Sequence, residues 1–130
     1  MPDIDIIAYK NGKSIPIQVK ALKTGSLRTV ANKYLDIELR GNKQVIKGIS
    51  KDIDRSLIFI IVKIGKIIGE DIFYICQQGL IQDLVLKNHS NFLHKHKGVR
   101  PRNPSSFDCS VELSSIKSTV NNWDIVENRL

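Results

Sequence analysis

Residues 3–20 read Asp3-Ile-Asp-Ile-Ile-Ala-Tyr-Lys-Asn-Gly-Lys-Ser-Ile-Pro-Ile-Gln-Val-Lys20, two β-forming runs separated by Asn11-Gly12. Asn-Gly suits a two-residue type I′ turn, because both of its positions need positive φ. Counting outward from such a turn sets Lys10 against Lys13, Ala8 against Ile15, Ile6 against Ile17, Asp5 against Gln18 and Asp3 against Lys20. Opposed residues share a sheet face, and successive residues alternate between faces. One face is then wholly apolar: Ile4, Ile6, Ala8, Ile15, Ile17 and Val19. The other gathers Asp3, Asp5, Gln18 and Lys20 at the end far from the turn, with Ile7 and Pro16 nearer to it. Pro16 falls at a non-hydrogen-bonded pair, where its missing N–H removes nothing from the hairpin.

Two readings of that polar end stand side by side. A carboxylate, an amide oxygen and an ammonium converging on one spot can hold a hard cation, a phosphate and a water. Equally, the sheet end is simply solvated, with Asp3 and Lys20 as a cross-strand ion pair worth a few tenths of a kcal/mol.

Asp-Ile-Ile-Ala, a short turn and Ile-Gln-Val-Lys-Ala together resemble the core of the restriction-endonuclease-like nucleases, with their PD-(D/E)xK signature. The opening is similar to that of archaeal Holliday-junction resolvases, and the Gln-Val-Lys ending to divergent members that include some homing endonucleases. Carried across, the resemblance makes Asp5 the metal-binding acid, Gln18 the second acidic position and Lys20 the catalytic lysine. It implies Mg²⁺ or Mn²⁺ held by Asp5, the backbone carbonyl of Val19 and the side-chain oxygen of Gln18. Two departures are visible. Gln18 stands where the family usually has Glu or Asp, and the first strand follows Met1 at once, so the family's leading helix is expected to be absent.

With 130 residues, 42% hydrophobic and 25% charged, the chain has the size and make-up of one globular domain, residues 1–130. Twenty Lys and Arg against 13 Asp and Glu give a net charge of +7, a balance that favours a polyanionic partner. Cys76 and Cys109 lie far apart and form no CxxC pair, which points to reduced thiols and a cytoplasmic setting. The longest apolar run, Leu57 to Ile64, is too short to span a bilayer and is interrupted by Lys63.

Downstream, Lys23 to Ser26 reads as a loop, and Leu27 to Asn32 as a helical turn or irregular chain. Tyr34 to Arg40 alternates cleanly and returns through Gly41-Asn42 to Gln44–Ile49, a second hairpin. Leu57 to Ile64 reads as the central strand, buried on both faces, and Asp71 to Cys76 as its antiparallel neighbour. The spacing of Leu80, Ile81, Leu84 and Val85 predicts a helix to about Lys87. That of Leu113, Ile116, Val120 and Trp123 predicts another over 109–121, with Asp108 as its N-cap and Trp123 as a packing anchor. The predicted fold is therefore α/β (α+β), a mixed sheet of about five strands flanked by helices, which the resemblance implies is restriction-endonuclease-like.

From Lys87 to Arg102 there are five Lys or Arg, three His and no acid, the composition of a phosphate-contacting segment. Lys95, Lys97, Arg100 and Arg102 from it, with Lys23 and Arg28 beside the Gln18–Lys20 strand, are the candidate nucleic-acid contacts. His89, His94 and His96 lack the spacing and the carboxylate neighbour of a zinc site. Three functions follow from the resemblance taken together with these features. The first is a Mg²⁺-dependent endonuclease acting on DNA, of reduced or lost activity because of Gln18, and a homodimer if it cuts duplexes. The others are a non-catalytic nucleic-acid-binding protein on the same fold and a protein-interaction domain.

Overall fold

A computed structural model describes residues 4–130. Among these the architecture is mixed α+β: a four-stranded sheet, two two-stranded ribbons and a few helices. Strands β1 (Ile6–Lys10) and β2 (Lys13–Leu22) form the expected hairpin, paired from Lys10↔Lys13 to Ile6↔Ile17 in the register that the turn dictates. Asn11 and Gly12 carry φ of 51° and 83°, the two left-handed positions of a type I′ turn. The expected Asp3–Lys20 pair lies outside the described residues.

After β2 the chain makes a long excursion. It runs through β3 (Ser26–Val30), one helical turn α1 (Ala31–Tyr34) and the ribbon β4–β5 (Leu35–Arg40 and Lys43–Ile49). Strand β3 takes Leu27–Val30 of the stretch expected as a helical turn or irregular chain, and Ala31 and Asn32 begin the helical turn α1. The chain then re-enters the sheet as β6 (Ile58–Lys63), parallel to β2, and β7 (Ile72–Gln77) pairs antiparallel with β6. The strand order is β1-β2-β6-β7, so the main sheet has four strands where five were expected. Ile58, Phe59, Ile60 and Ile61 are all buried, as a central strand with covered faces requires.

Helix α2 spans Gln78–Lys95, eight residues beyond the predicted end at Lys87. Its buried line is Ile81, Val85, His89 and Leu93, each four residues from the last. A histidine occupies one apolar position of the stripe, which interrupts the hydrophobic spacing beyond Val85. No side chain caps the N-terminus. Instead the Gln78 N–H donates to the Leu57 carbonyl (2.7 Å) and the Gly79 N–H to that of Arg55 (2.9 Å), filling two of the orphan donors of the first turn. A Cβ on Gly79 would stand 3.1 Å from both the Arg55 carbonyl and its guanidinium, so a larger residue would push this contact apart by a few tenths of an ångström.

The helix predicted over 109–121 does not form. Strand β8 (Asp108–Glu112) pairs antiparallel with β3, from Ser26↔Glu112 to Val30↔Asp108, followed by a 3₁₀ segment, Leu113–Thr119, and a short α3 (Asp124–Glu127). Residues 108–112 alternate, with Val111 fully buried, and Ser26 Oγ donates to Glu112 Oε1 at 2.6 Å. Of the four residues expected on one face, Leu113 and Ile116 are buried while Val120 and Trp123 are 39% and 41% exposed, and the segment bends at Ile116, whose φ of −123° is not helical. Asp108 is therefore a strand residue and not an N-cap.

The sheet buries both faces unequally. One carries Phe59, Ile61, Tyr74 and Cys76 against α2, the β3–β8 ribbon, α1 and the 3₁₀ segment. The other carries Ile17, Ile58, Ile60 and Ile75, with Ala8, Ile15 and Val19 packed beside them, and α3 adds Ile125 and Val126. Trp123 anchors this C-terminal cover against Phe73, ring centroids 5.7 Å apart. The cover stops short of the hairpin's outer strand, where Ile6 is half exposed. Both cysteines are free thiols, Cys76 buried and Cys109 partly so. Among the described residues no helix is long and apolar enough to cross a membrane.

Candidate functional site

Regular pairing of the hairpin ends at Ile6↔Ile17. Asp5, one step further, does not form the ladder pair with Gln18 that the register predicted. Its N–H donates to the Ile17 carbonyl (3.0 Å), and its carboxylate Oδ2 accepts the Val19 N–H at 2.8 Å. The side chain of Asp5 thus takes the place of a strand partner at Val19. In a strand the N–H and C=O of one residue point to the same side, so the Val19 carbonyl faces the same edge as the Asp5 carboxylate.

Gln18 and Lys20 follow by alternation. Gln18 stands beside Phe59 in the parallel register and is only 1% exposed, while Lys20 stands beside Ile61 and reaches solvent. The polar end of the hairpin is therefore divided: Asp5 and Lys20 are exposed and the amide is part of the interior. A buried amide is far less costly than a buried carboxylate with no countercharge, which gives a physical reason for glutamine at this position.

The donors here suit a hard cation with a single protein charge. Asp5 and the Val19 carbonyl supply oxygens along one edge, and waters would complete the six that Mg²⁺ prefers. Among the described residues no three His, Cys, Asp or Glu side chains cluster. Glu38, a conceivable second carboxylate, lies on the β4–β5 ribbon, bound by Arg40 and Lys47, each at 3.2 Å. The hydrogen bond from Arg40 is the leading cause holding its carboxyl below the usual range.

Of the six predicted nucleic-acid contacts, Arg28 and Arg100 come together. They line a cleft of about 660 Å³ between β3, α2 and β8, to which β1 and β2 contribute no residue. Lys23, Lys95, Lys97 and Arg102 are exposed. Lys97 and Arg102 adopt left-handed backbone (φ 55° and 66°) in the loop that follows α2.

The three histidines separate. His94 is exposed, and His96 stacks obliquely on Phe92 with centroids 4.7 Å apart. His89 is buried, its Nε2 2.9 Å from Gln44 Oε1. The Gln44 amide nitrogen donates to the Pro104 and Ser106 carbonyls (2.9 and 2.7 Å). Its oxygen is therefore the atom turned to His89, which fixes the proton on Nε2 of a neutral ring. Burial first, and then the Arg100 charge, hold His89 below its ordinary value of 6.5. The unfolded chain therefore takes up this proton more readily than the folded one. Stability is complete above the ordinary histidine range and falls as the pH drops through it. Urea unfolding at pH 7.5 and 5.5 should show a loss for the wild type that His89→Asn reduces; equal losses would exclude His89 as the cause.

Sequence reasoning overlooked Gln44 and Gln82, both buried and both tied to distant backbone. Their signal was a polar residue within an apolar stripe, as Gln82 is between Ile81 and Val85 on α2. Comparison of the chain with protein-family models, with curated proteins and with solved structures gives no match.

Proposed function

We propose that the protein binds DNA and hydrolyses its phosphodiester backbone with a divalent cation held at the open end of the β1–β2 hairpin, on a restriction-endonuclease-like sheet. The observation that carries this reading is the Asp5 carboxylate seated 2.8 Å from the Val19 nitrogen, in the middle of Gln18-Val19-Lys20. A hairpin whose second strand crosses over into a parallel neighbour gives fold-level support. Asp5 and the Val19 carbonyl would hold Mg²⁺ or Mn²⁺, which when bound supplies Lewis-acid stabilisation and an activated water. Lys20, exposed on the Gln18 face, would orient that water and offset charge on the phosphate. The net charge of +7 favours the polyanion.

Incubation with supercoiled and branched DNA in Mg²⁺ or Mn²⁺ should give nicked product, and EDTA should abolish it. Salt-dependent DNA binding without cleavage would instead identify a non-catalytic nucleic-acid-binding protein, the reading that the buried amide of Gln18 favours. Neither binding nor cleavage would leave a protein-interaction domain. Charge reversal at Arg100 and Arg102 should weaken DNA binding at least about tenfold and lower the log–log salt slope by ~0.9 for each phosphate that is no longer neutralised. An unchanged slope would reduce the basic excess to a matter of solubility.

A further inference from the structure

We infer that the cleft between β3, α2 and β8 is a binding site for a phosphate group, separate from the Asp5–Lys20 end of the hairpin. Two arginines from distant parts of the chain line it, Arg28 on β3 and Arg100 in the loop after α2. Among the described residues neither forms an ion pair. Arg100 is held in place: it lies over the Phe92 ring, 5.4 Å from its centroid, and Nη1 donates to the Asp108 carbonyl. That bond uses one of five guanidinium N–H donors. Arg28 stands directly opposite Ser110, whose carbonyl accepts the Asn88 amide at 3.0 Å, so strand, strand and helix are cross-tied beneath it.

Such an arrangement favours a phosphate in particular. Arginine forks match phosphate oxygens in pairs, and a held guanidinium loses little freedom when it binds. The volume of about 660 Å³ exceeds what one phosphate needs and leaves room for the attached nucleotide unit. The Asp108 carboxylate, also on the cleft wall, opposes an anion and sets a limit on its affinity. His89 reports occupancy: its Nε2 is committed to Gln44, and an anion beside Arg100 would offset the charge that disfavours protonation of the ring. The source of the phosphate is taken to be a nucleic-acid strand, and in this respect the inference rests on the proposed function.

The test is an NMR titration of the 130-residue protein, following the Arg28 and Arg100 Nε–H and His89 ring signals. Sodium phosphate is compared with sodium chloride at equal ionic strength, and then with an oligothymidylate. Saturable shifts with phosphate alone of the two salts, and an upward move of the His89 titration, are expected. Arg28→Ala should weaken phosphate binding roughly tenfold, and Asp108→Asn should tighten it roughly fivefold by removing one like charge. Identical responses to phosphate and chloride, or affinities unmoved by both substitutions, would overturn the site even if the protein still nicks DNA. Phosphate binding with no oligothymidylate response at the same signals would keep the anion site and overturn its assignment to nucleic acid.

Discussion

Gln82→Ala is expected to lower the stability of the fold by about 3–4 kcal/mol. The side chain is fully buried on α2 and ties three parts of the chain together. Its amide nitrogen donates to the Tyr34 and Ser50 carbonyls at 2.8 and 3.1 Å, and its oxygen accepts from Arg55 Nη1 at 2.6 Å. Alanine would leave those two carbonyls and the Arg55 donor without this partner and open a gap in the interior. Each buried group so deprived costs about 1–3 kcal/mol, with some recovery where water or a shift of the backbone can help. Next to it, Asp83 pairs with Arg55 at 3.0 Å but is more than half exposed, so Asp83→Ala should change stability by less than about 1 kcal/mol. Urea unfolding of both variants at one pH makes the comparison. A Gln82→Ala loss no larger than that of Asp83→Ala would mean that the three bonds contribute nothing net.

The largest effect on chemistry is expected from Asp5→Asn, which should reduce any metal-dependent cleavage at least about a hundredfold. Asparagine keeps an oxygen that can accept the Val19 N–H, so the geometry of the hairpin end should survive. What disappears is the protein charge proposed to hold the cation. DNA binding at the basic surface should be unaffected, which separates the loss of chemistry from a loss of folding. A variant that cleaves as fast as the wild type would remove Asp5 from the reaction. Gln18→Glu supplies the complementary measurement. At 1% exposure the new carboxylate would be nearly fully buried, so the variant should melt lower than wild type in EDTA. Mg²⁺ should restore its Tm, since the cation supplies the missing countercharge. A Tm indifferent to Mg²⁺ would argue that no cation reaches this position.

Much of the sheet was legible in the sequence because its signals are local. Asn11-Gly12 fixes the backbone of one turn, and strict alternation on either side carries the register to Ile6↔Ile17. Leu57 to Ile64 could be read as a central strand because its β-branched run leaves little polar surface for either face. What could not be read depended on partners distant in the chain. β8 is a strand because β3 is there to pair with it, and residues 108–112 alone carry too short an alternation to outweigh the three-residue steps that follow. The candidate site was legible in part. Asp5 meets Val19, but the burial of Gln18 follows from Phe59, forty-one residues later in the chain, which stands beside it in the parallel register. The convergence of Arg28 and Arg100 likewise depends on how β3, β8 and α2 assemble, which no local pattern encodes.

The polar side chains inside α2 have a consequence for how the molecule folds. Gln78 donates to the Asp54 carbonyl, Gln82 to those of Tyr34 and Ser50, and His89 reaches Gln44 of β5. With no side-chain N-cap and no acid in its first turn, the helix has little of the local support that lets a segment of this length form alone. Its ordering is therefore coupled to bonds that span 24 to 48 residues, and the entropy of closing those loops must be met before the helix gains its partners. The helix is therefore expected to form late and to lock the β4–β5 ribbon and the turn at residues 50–57 as it does so, and amide exchange should show these parts opening as one cooperative unit.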